Sequence, residues 1–132
     1  MNAEQIQKAG EIANRAPDLH PWHVALQACN ASDDFDGYVV GLLHDSLEDA
    51  YAMVDDLRSF PEHVLAAVLT LTRREGETYW DYIERVRQSS ALARRVKLAD
   101  ARINLSRCVA SGDTSRGKRY LRVIDILTKE EA

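Results

Sequence analysis

Asp33-Asp34-Phe35-Asp36-Gly37-Tyr38-Val39-Val40-Gly41-Leu42-Leu43-His44-Asp45-Ser46-Leu47-Glu48-Asp49 is the stretch on which the fold turns. From Val39 to Leu43 it is apolar almost all round, the mark of a helix enclosed by others. The acidic pair Asp33-Asp34 stands at the amino end, where the helix dipole favours negative charge. The reading is one helix opened by this pair, holding Tyr38 through Asp49 and lying at the centre of the molecule as its most buried element.

Outward from this segment the chain reads as amphipathic helices joined by short turns. On the amino side, Ile6, Ala9 and Ile12-Ala13 recur at helical spacing in a helix that ends before Pro17. A second helix begins at His20-Pro21, since proline suits a first turn, and carries Val24, Ala25 and Ala28 on one side. On the carboxyl side, a short segment around Asp55-Asp56-Leu57 precedes Pro61, which starts a helix from Glu62 to Leu71. Thr78 to Arg87 forms the next, with Trp80, Ile83 and Val86 on one side. Ser89-Ser90 caps a long helix from Ala91 to about Val109; Ser111-Gly112-Asp113 is a turn, and Arg116 to Leu127 is the last helix before a charged tail. No period-2 alternation is sustained. The fold class is all-α, a single helical domain spanning residues 1–132.

Composition narrows the function. The 132 residues are 45% apolar and 29% charged, ordinary for a soluble globular chain. A formal charge of −4 argues against life on nucleic acid, which demands a basic surface. It leaves room for a small phosphorylated ligand. No run approaches the roughly 18 apolar residues of a membrane span, and Met1-Asn2-Ala3-Glu4-Gln5 lacks the pattern of a signal peptide. A cytoplasmic protein with no membrane partner is expected, and a homodimer is left open. Cys29 and Cys108 form no CxxC pattern and read as reduced thiols packed in the core.

The chemistry concentrates in Leu42-Leu43-His44-Asp45-Ser46-Leu47-Glu48-Asp49. An imidazole beside a carboxylate at the end of an apolar helix is costly unless both are paired or bound to a metal. Helical spacing sets His44 and Glu48 on one face and Asp45 and Asp49 on the adjoining one. Further ligands come from His20, at the start of the preceding helix, and from Asp100. Lys97, Asp100 and Asn104 share one face of an otherwise apolar helix. Two histidines and two carboxylates without thiolates suit Mn²⁺, Fe²⁺ or Mg²⁺ better than structural zinc. The competing reading is a solvated acidic helix end, with His44 a core histidine and Asp100 and Asn104 exposed. His23 and the lone His63 read as surface residues, and the arginine-rich runs 73–74, 94–95 and 116–122 as solvated helix faces.

His20, then His44-Asp45, then Asp100 resembles the HD-domain phosphohydrolase superfamily, named for its His-Asp pair. Within it, His44-Asp45-x-x-Glu48-Asp49 is similar to the hydrolase domain of the RelA/SpoT family and its small stand-alone relatives. His20-Pro21-x-x-Val24-Ala25, Leu69-Thr70-Leu71-Thr72-Arg73 and Lys97-Leu98-Ala99-Asp100-x-x-x-Asn104 fit the same pattern, so that the resemblance runs from about Arg15 to Arg107. It implies the HD-domain fold and a Mn²⁺-dependent pyrophosphohydrolase that removes the 3′-pyrophosphate of the nucleotide (p)ppGpp. His20, His44, Asp45 and Asp100 would hold the metal. Glu48 and Asp49 would orient or deprotonate water and assist the leaving group. Asn104 would contact the ribose or the scissile side, and Lys97 the metal carboxylates or phosphates. Arg15 is the one candidate for a base-stacking arginine. The loop Arg15-Ala16-Pro17-Asp18-Leu19 is shorter than the family's guanine-contacting segment and lacks its lysine and tyrosine, and Ile103 stands where a histidine often precedes the asparagine. Hydrolysis of another nucleotide or phosphoester, or a non-catalytic nucleotide- or metal-sensing module, are the alternatives. A sensor would have no need of both Glu48 and Asp49.

Overall fold

A computed structural model describes residues 1–129, and their regular structure is entirely helical, with no strand. In chain order the helices are α1 (Ala3–Ala13), α2 (His20–Ala28), α3 (Asp36–Leu43), α4 (Val54–Leu57), α5 (Glu62–Thr70), α6 (Tyr79–Arg87), α7 (Ala91–Ser111) and α8 (Thr114–Thr128), with a 3₁₀ turn at Ala31–Asp33. Local chemistry explains most boundaries. Asn2 and Gln5 form a reciprocal capping box on α1, and Thr78, Ser90 and Asp113 cap α6, α7 and α8 with their side chains. Gly112, at φ 76°, ends α7 in the left-handed conformation that glycine adopts without strain. The charged tail expected after the last helix falls, from residue 130 onward, outside the described residues.

α3 is the centre, as its apolar run requires: Val39, Val40, Leu42 and Leu43 have no exposed surface. α1, α2, α5 and α7 all pack on it. Its approach to α2 depends on two glycines. A Cβ on Gly41 would lie 2.6 Å from Ala25 Cα, and one on Gly37 2.2 Å from the Ala28 carbonyl. Both distances are impossible for real atoms, so the two backbones touch only because these positions lack side chains.

Both ends of the expected central helix differ. Asp33 lies in the 3₁₀ turn, Asp34 and Phe35 take positive φ, and the helix opens at Asp36. At the other end it stops at Leu43 instead of running to Asp49. Residues 44–50 form successive tight turns, with Ser46 N–H donating to Leu43 O and Asp49 N–H to Asp45 O. Ala50 closes them at φ 59°, and the amides of Tyr51 and Ala52 both donate to Ser46 O. Neither proline nor glycine marks this exit, so no local signal announced it. Cys29 also departs from expectation. It is exposed at the end of α2, where extended backbone turns its side chain off the core face, whereas Cys108 is buried. Among the described residues, no helix is long and apolar enough to cross a membrane.

Candidate metal centre

Three elements bring His20, His44 and Asp100 together. His20 is the first residue of α2, its amide donating to Asp18 Oδ1 at 2.9 Å. His44 follows the last turn of α3, and Asp100 sits midway along α7. All three are buried, and one ligand atom from each lies within 4.8 Å of the other two. His20 Nε2 is 2.6 Å from Asp100 Oδ1, and His44 Nε2 is 3.6 Å from the same oxygen. The imidazoles meet edge to face at 5.5 Å.

His44 Nδ1 donates to the Gly41 carbonyl at 2.6 Å. That bond orients the ring and commits Nε2 to the centre, the usual way a protein prepares a histidine to ligate. Nε2 is buried and has no hydrogen-bond partner, although Asp45 Oδ2 lies 3.1 Å away. A buried polar atom without a partner is costly, and a divalent cation would satisfy it. The donor set of two imidazoles and carboxylates fits a divalent ion with mixed nitrogen and oxygen ligands. Asp45 stands beside the trio, half-buried, and adjoins it through His44.

Asp100 is held on both oxygens. Lys97 Nζ donates to Oδ2 at 2.9 Å and Asn104 Nδ2 to Oδ1 at 3.1 Å. The shared helical face of Lys97, Asp100 and Asn104 is therefore a carboxylate and its two donors. Lys97 Nζ also sits 5.3 Å above the Tyr82 ring, and the Tyr82 hydroxyl donates to Leu71 O. Burial raises the proton affinity of Asp100, but Lys97 and the two imidazoles outweigh it and hold the carboxyl well below its ordinary range. Burial pulls His44 down, yet the Asp100 and Asp45 carboxylates outweigh it and lift the imidazole to about 10.

Glu48 and Asp49 lie at the rim, both exposed. Glu48 Oε1 accepts the Arg73 amide at 3.2 Å. Asp49 lines a cleft of about 140 Å³ with Asp18, His20, Asp45, Tyr51 and Arg107. Withdrawal from water, with Asp45 nearby, raises both carboxyls above their ordinary values; the Arg73 amide partly offsets this for Glu48. Arg15 lies apart from the cluster. Its guanidinium donates to Tyr51 O and faces Asp56 at 4.0 Å.

The structure adds residues that sequence reasoning passed over. Arg85 binds Glu77 through two nitrogens and the carbonyls of Thr70 and Thr72. This clasp shapes the turn whose Arg73 amide holds Glu48. Tyr51 presents a buried hydroxyl without a partner beside the cleft. Arg107 follows Asp100 by two helical turns, a spacing that could have flagged it. His63 is not alone, since its Nε2 meets Asp36 Oδ2 at 2.6 Å. Nor is Arg95 simply solvated, because it pairs with Asp33. Compared with known proteins, the chain matches no family model and no curated protein.

Proposed function

We propose that this chain is a metal-dependent phosphohydrolase whose cation is held by His20, His44, Asp45 and Asp100. The observation that carries the proposal is the convergence of two buried imidazole nitrogens on one buried carboxylate oxygen, with His44 Nε2 left unpartnered. A divalent cation there supplies Lewis acidity toward phosphoryl oxygens and toward the attacking water.

The chain's own groups do the rest. Lys97 and Asn104 fix Asp100 so that its oxygen faces the imidazoles. Asp49, in the cleft, takes up the proton of the attacking water. Glu48, steadied by the Arg73 amide, orients that water or returns a proton to the leaving group. Raised proton affinity brings both carboxyls closer to the range in which general acid–base groups work. That feature supports turnover over a sensing role.

The resemblance to the RelA/SpoT hydrolase domain supplies the substrate, (p)ppGpp, with loss of its 3′-pyrophosphate and Mn²⁺ as the cation. The position of Arg15 favours a second reading, in which the same chemistry acts on another nucleotide or phosphoester. Its guanidinium is engaged with Tyr51 O and is not among the groups lining the cleft. Incubation of the purified protein and Mn²⁺ with ppGpp, other nucleotides and a simple phosphodiester separates these readings. Release of pyrophosphate from ppGpp alone, lost with chelator and in Asp45→Asn, is the expected result. Turnover of other nucleotides with ppGpp untouched would transfer the proposal to the second reading. Absence of turnover on every substrate would sink both.

A further inference from the structure

α2 and α7 meet where His20 touches Asp100, and the two helices pack together. Between them lies a groove of about 660 Å³. Its α2 wall is His23, Leu26 and Gln27, and its α7 wall Ile103, Ser106 and Arg107. Helical spacing ties it to the metal centre. His23 and Gln27 follow His20 by three and seven residues, and Ile103 and Arg107 follow Asp100 by the same intervals. Both walls therefore continue the faces that carry the ligands.

Two further observations give the groove an occupant. Arg107 lines both the groove and the small cleft of Asp45 and Asp49, and no other arginine or lysine lines either. A phosphorylated molecule at that acidic cleft requires a fixed cation at its edge, and a guanidinium suits phosphate oxygens. Leu26 is 67% exposed, an apolar side chain left in water six residues along α2 from His20. Small-molecule sites of this size pair apolar surface with a few polar groups that fix orientation.

We propose that this groove seats the organic part of the substrate, a purine nucleoside, with its phosphate held at the cleft by Arg107. The proposal rests on the phosphohydrolase reading for its substrate class. The planar ring lies against Leu26 and Ile103. Gln27 and Ser106 offer donors and acceptors to its edge, and His23 stands at the end nearest the metal centre. The groove thereby takes the role that the shortened loop after Arg15 does not fill.

Backbone amide NMR titrations of the Mg²⁺-loaded chain with AMP, GMP and inorganic phosphate test this without relying on turnover. Phosphate is expected to shift amides around Asp18, Asp49 and Arg107. Either nucleotide is expected to shift these and also those of His23, Gln27 and Ser106. Leu26→Ala weakens nucleotide binding about tenfold and leaves phosphate unchanged, because only the apolar contact is lost. Arg107→Ala weakens both about tenfold. Both side chains are exposed, and the same spectra report whether either variant is folded. Nucleotide shifts confined to the phosphate set, unchanged nucleotide affinity in Leu26→Ala, or no nucleotide binding would each overturn the proposal. Turnover of a nucleotide with KM unaltered in the groove variants removes the groove and keeps the hydrolase. Groove binding with no turnover of any phosphate ester does the reverse.

Discussion

α3 has a polar cluster at each end, and α7 contributes a charged residue to both. At the amino end Asp33 pairs with Arg95 and Asp36 with His63. At the carboxyl end His44 and Asp45 face Asp100 and His20. Each cluster contains an imidazole–carboxylate contact of 2.6 Å. Both also leave buried polar atoms without partners, Asp33 Oδ1 and Arg95 Nε at the amino end and His20 Nδ1 and His44 Nε2 at the other; the difference lies in their chemistry. At the amino end a guanidinium, which has no lone pair to offer a cation, stands against the Asp33 carboxylate, and His63 is 59% exposed. At the carboxyl end two buried imidazoles and a buried carboxylate converge, while Lys97 and Asn104 already hold the carboxylate from behind. Among the described residues, only the second set brings three groups able to ligate a cation within reach of one another.

The largest expected contrast comes from removing one carboxylate at each end. Asp100→Ala leaves the largely buried Lys97 without its counter-charge and is expected to cost about 3–5 kcal/mol in metal-free protein, together with metal binding. Denaturant unfolding, paired with metal content after loading, measures both. A loss for Asp100→Ala no larger than that for Asp36→Ala would erase the distinction between the clusters.

Helix spacing gives the next test. Gly41→Ala drives a methyl group into the α2 backbone and is expected to cost about 1–3 kcal/mol. Because the Gly41 carbonyl orients His44, metal affinity falls with it. Gly37→Ala presses on Ala28 and Arg95 instead, so its stability cost is comparable but its effect on metal affinity is smaller. Titration of both variants with Mn²⁺ separates packing from ligation, and equal losses of affinity would show that they are not separable.

Protons give a further test of the carboxyl-end cluster. His44 has a raised proton affinity in the folded chain. Its contribution to metal-free stability is complete below its ordinary value of 6.5 and is lost as pH rises through about 10. A metal must displace that same proton, so affinity is expected to climb about tenfold per pH unit between neutrality and that point. Metal-free stability therefore falls over the window in which metal binding strengthens. Asp100 and Asp45, with lowered values, contribute stability above their ordinary value of 3.8 that is lost as pH falls below it. Thermal unfolding against pH, with and without Mn²⁺, checks the opposed slopes; parallel slopes would remove His44 from the centre.

How far the sequence was legible follows from the range of the interactions involved. The all-helical class, the buried α3 and the starts of α2, α6 and α7 rest on apolar period and caps, which neighbouring residues determine. The shared face of Lys97, Asp100 and Asn104 was legible for the same reason. The early end of α3 was not, because residues 44–52 leave the helix through turns closed on Ser46 O and a left-handed Ala50, without a breaker. Arg73 reaches Glu48 through its amide, a contact that no side-chain identity encodes. Arg15 was expected at the base and lies against Tyr51 and Asp56. His63 looked solitary because Asp36 is remote in sequence and joins it only when α5 packs on α3.

That last pair supplies the smallest expected effect and the sharpest control. His63→Ala removes an imidazole that is largely exposed, and its partner Asp36 stays close enough to the α3 amino terminus to interact with the helix dipole. Exposed pairs of this kind contribute about 0.2–1 kcal/mol, so unfolding of His63→Ala is expected to shift within that range. Metal affinity is expected to be unchanged, since no ligand at the carboxyl end touches His63. His20→Ala removes an imidazole from an equally short contact with a carboxylate, but there the lost group is buried and belongs to the converging set. Mn²⁺ titration of the two variants side by side asks whether burial and convergence, and not the His–Asp contact itself, make the centre. Equal affinity in both would mean that they do not.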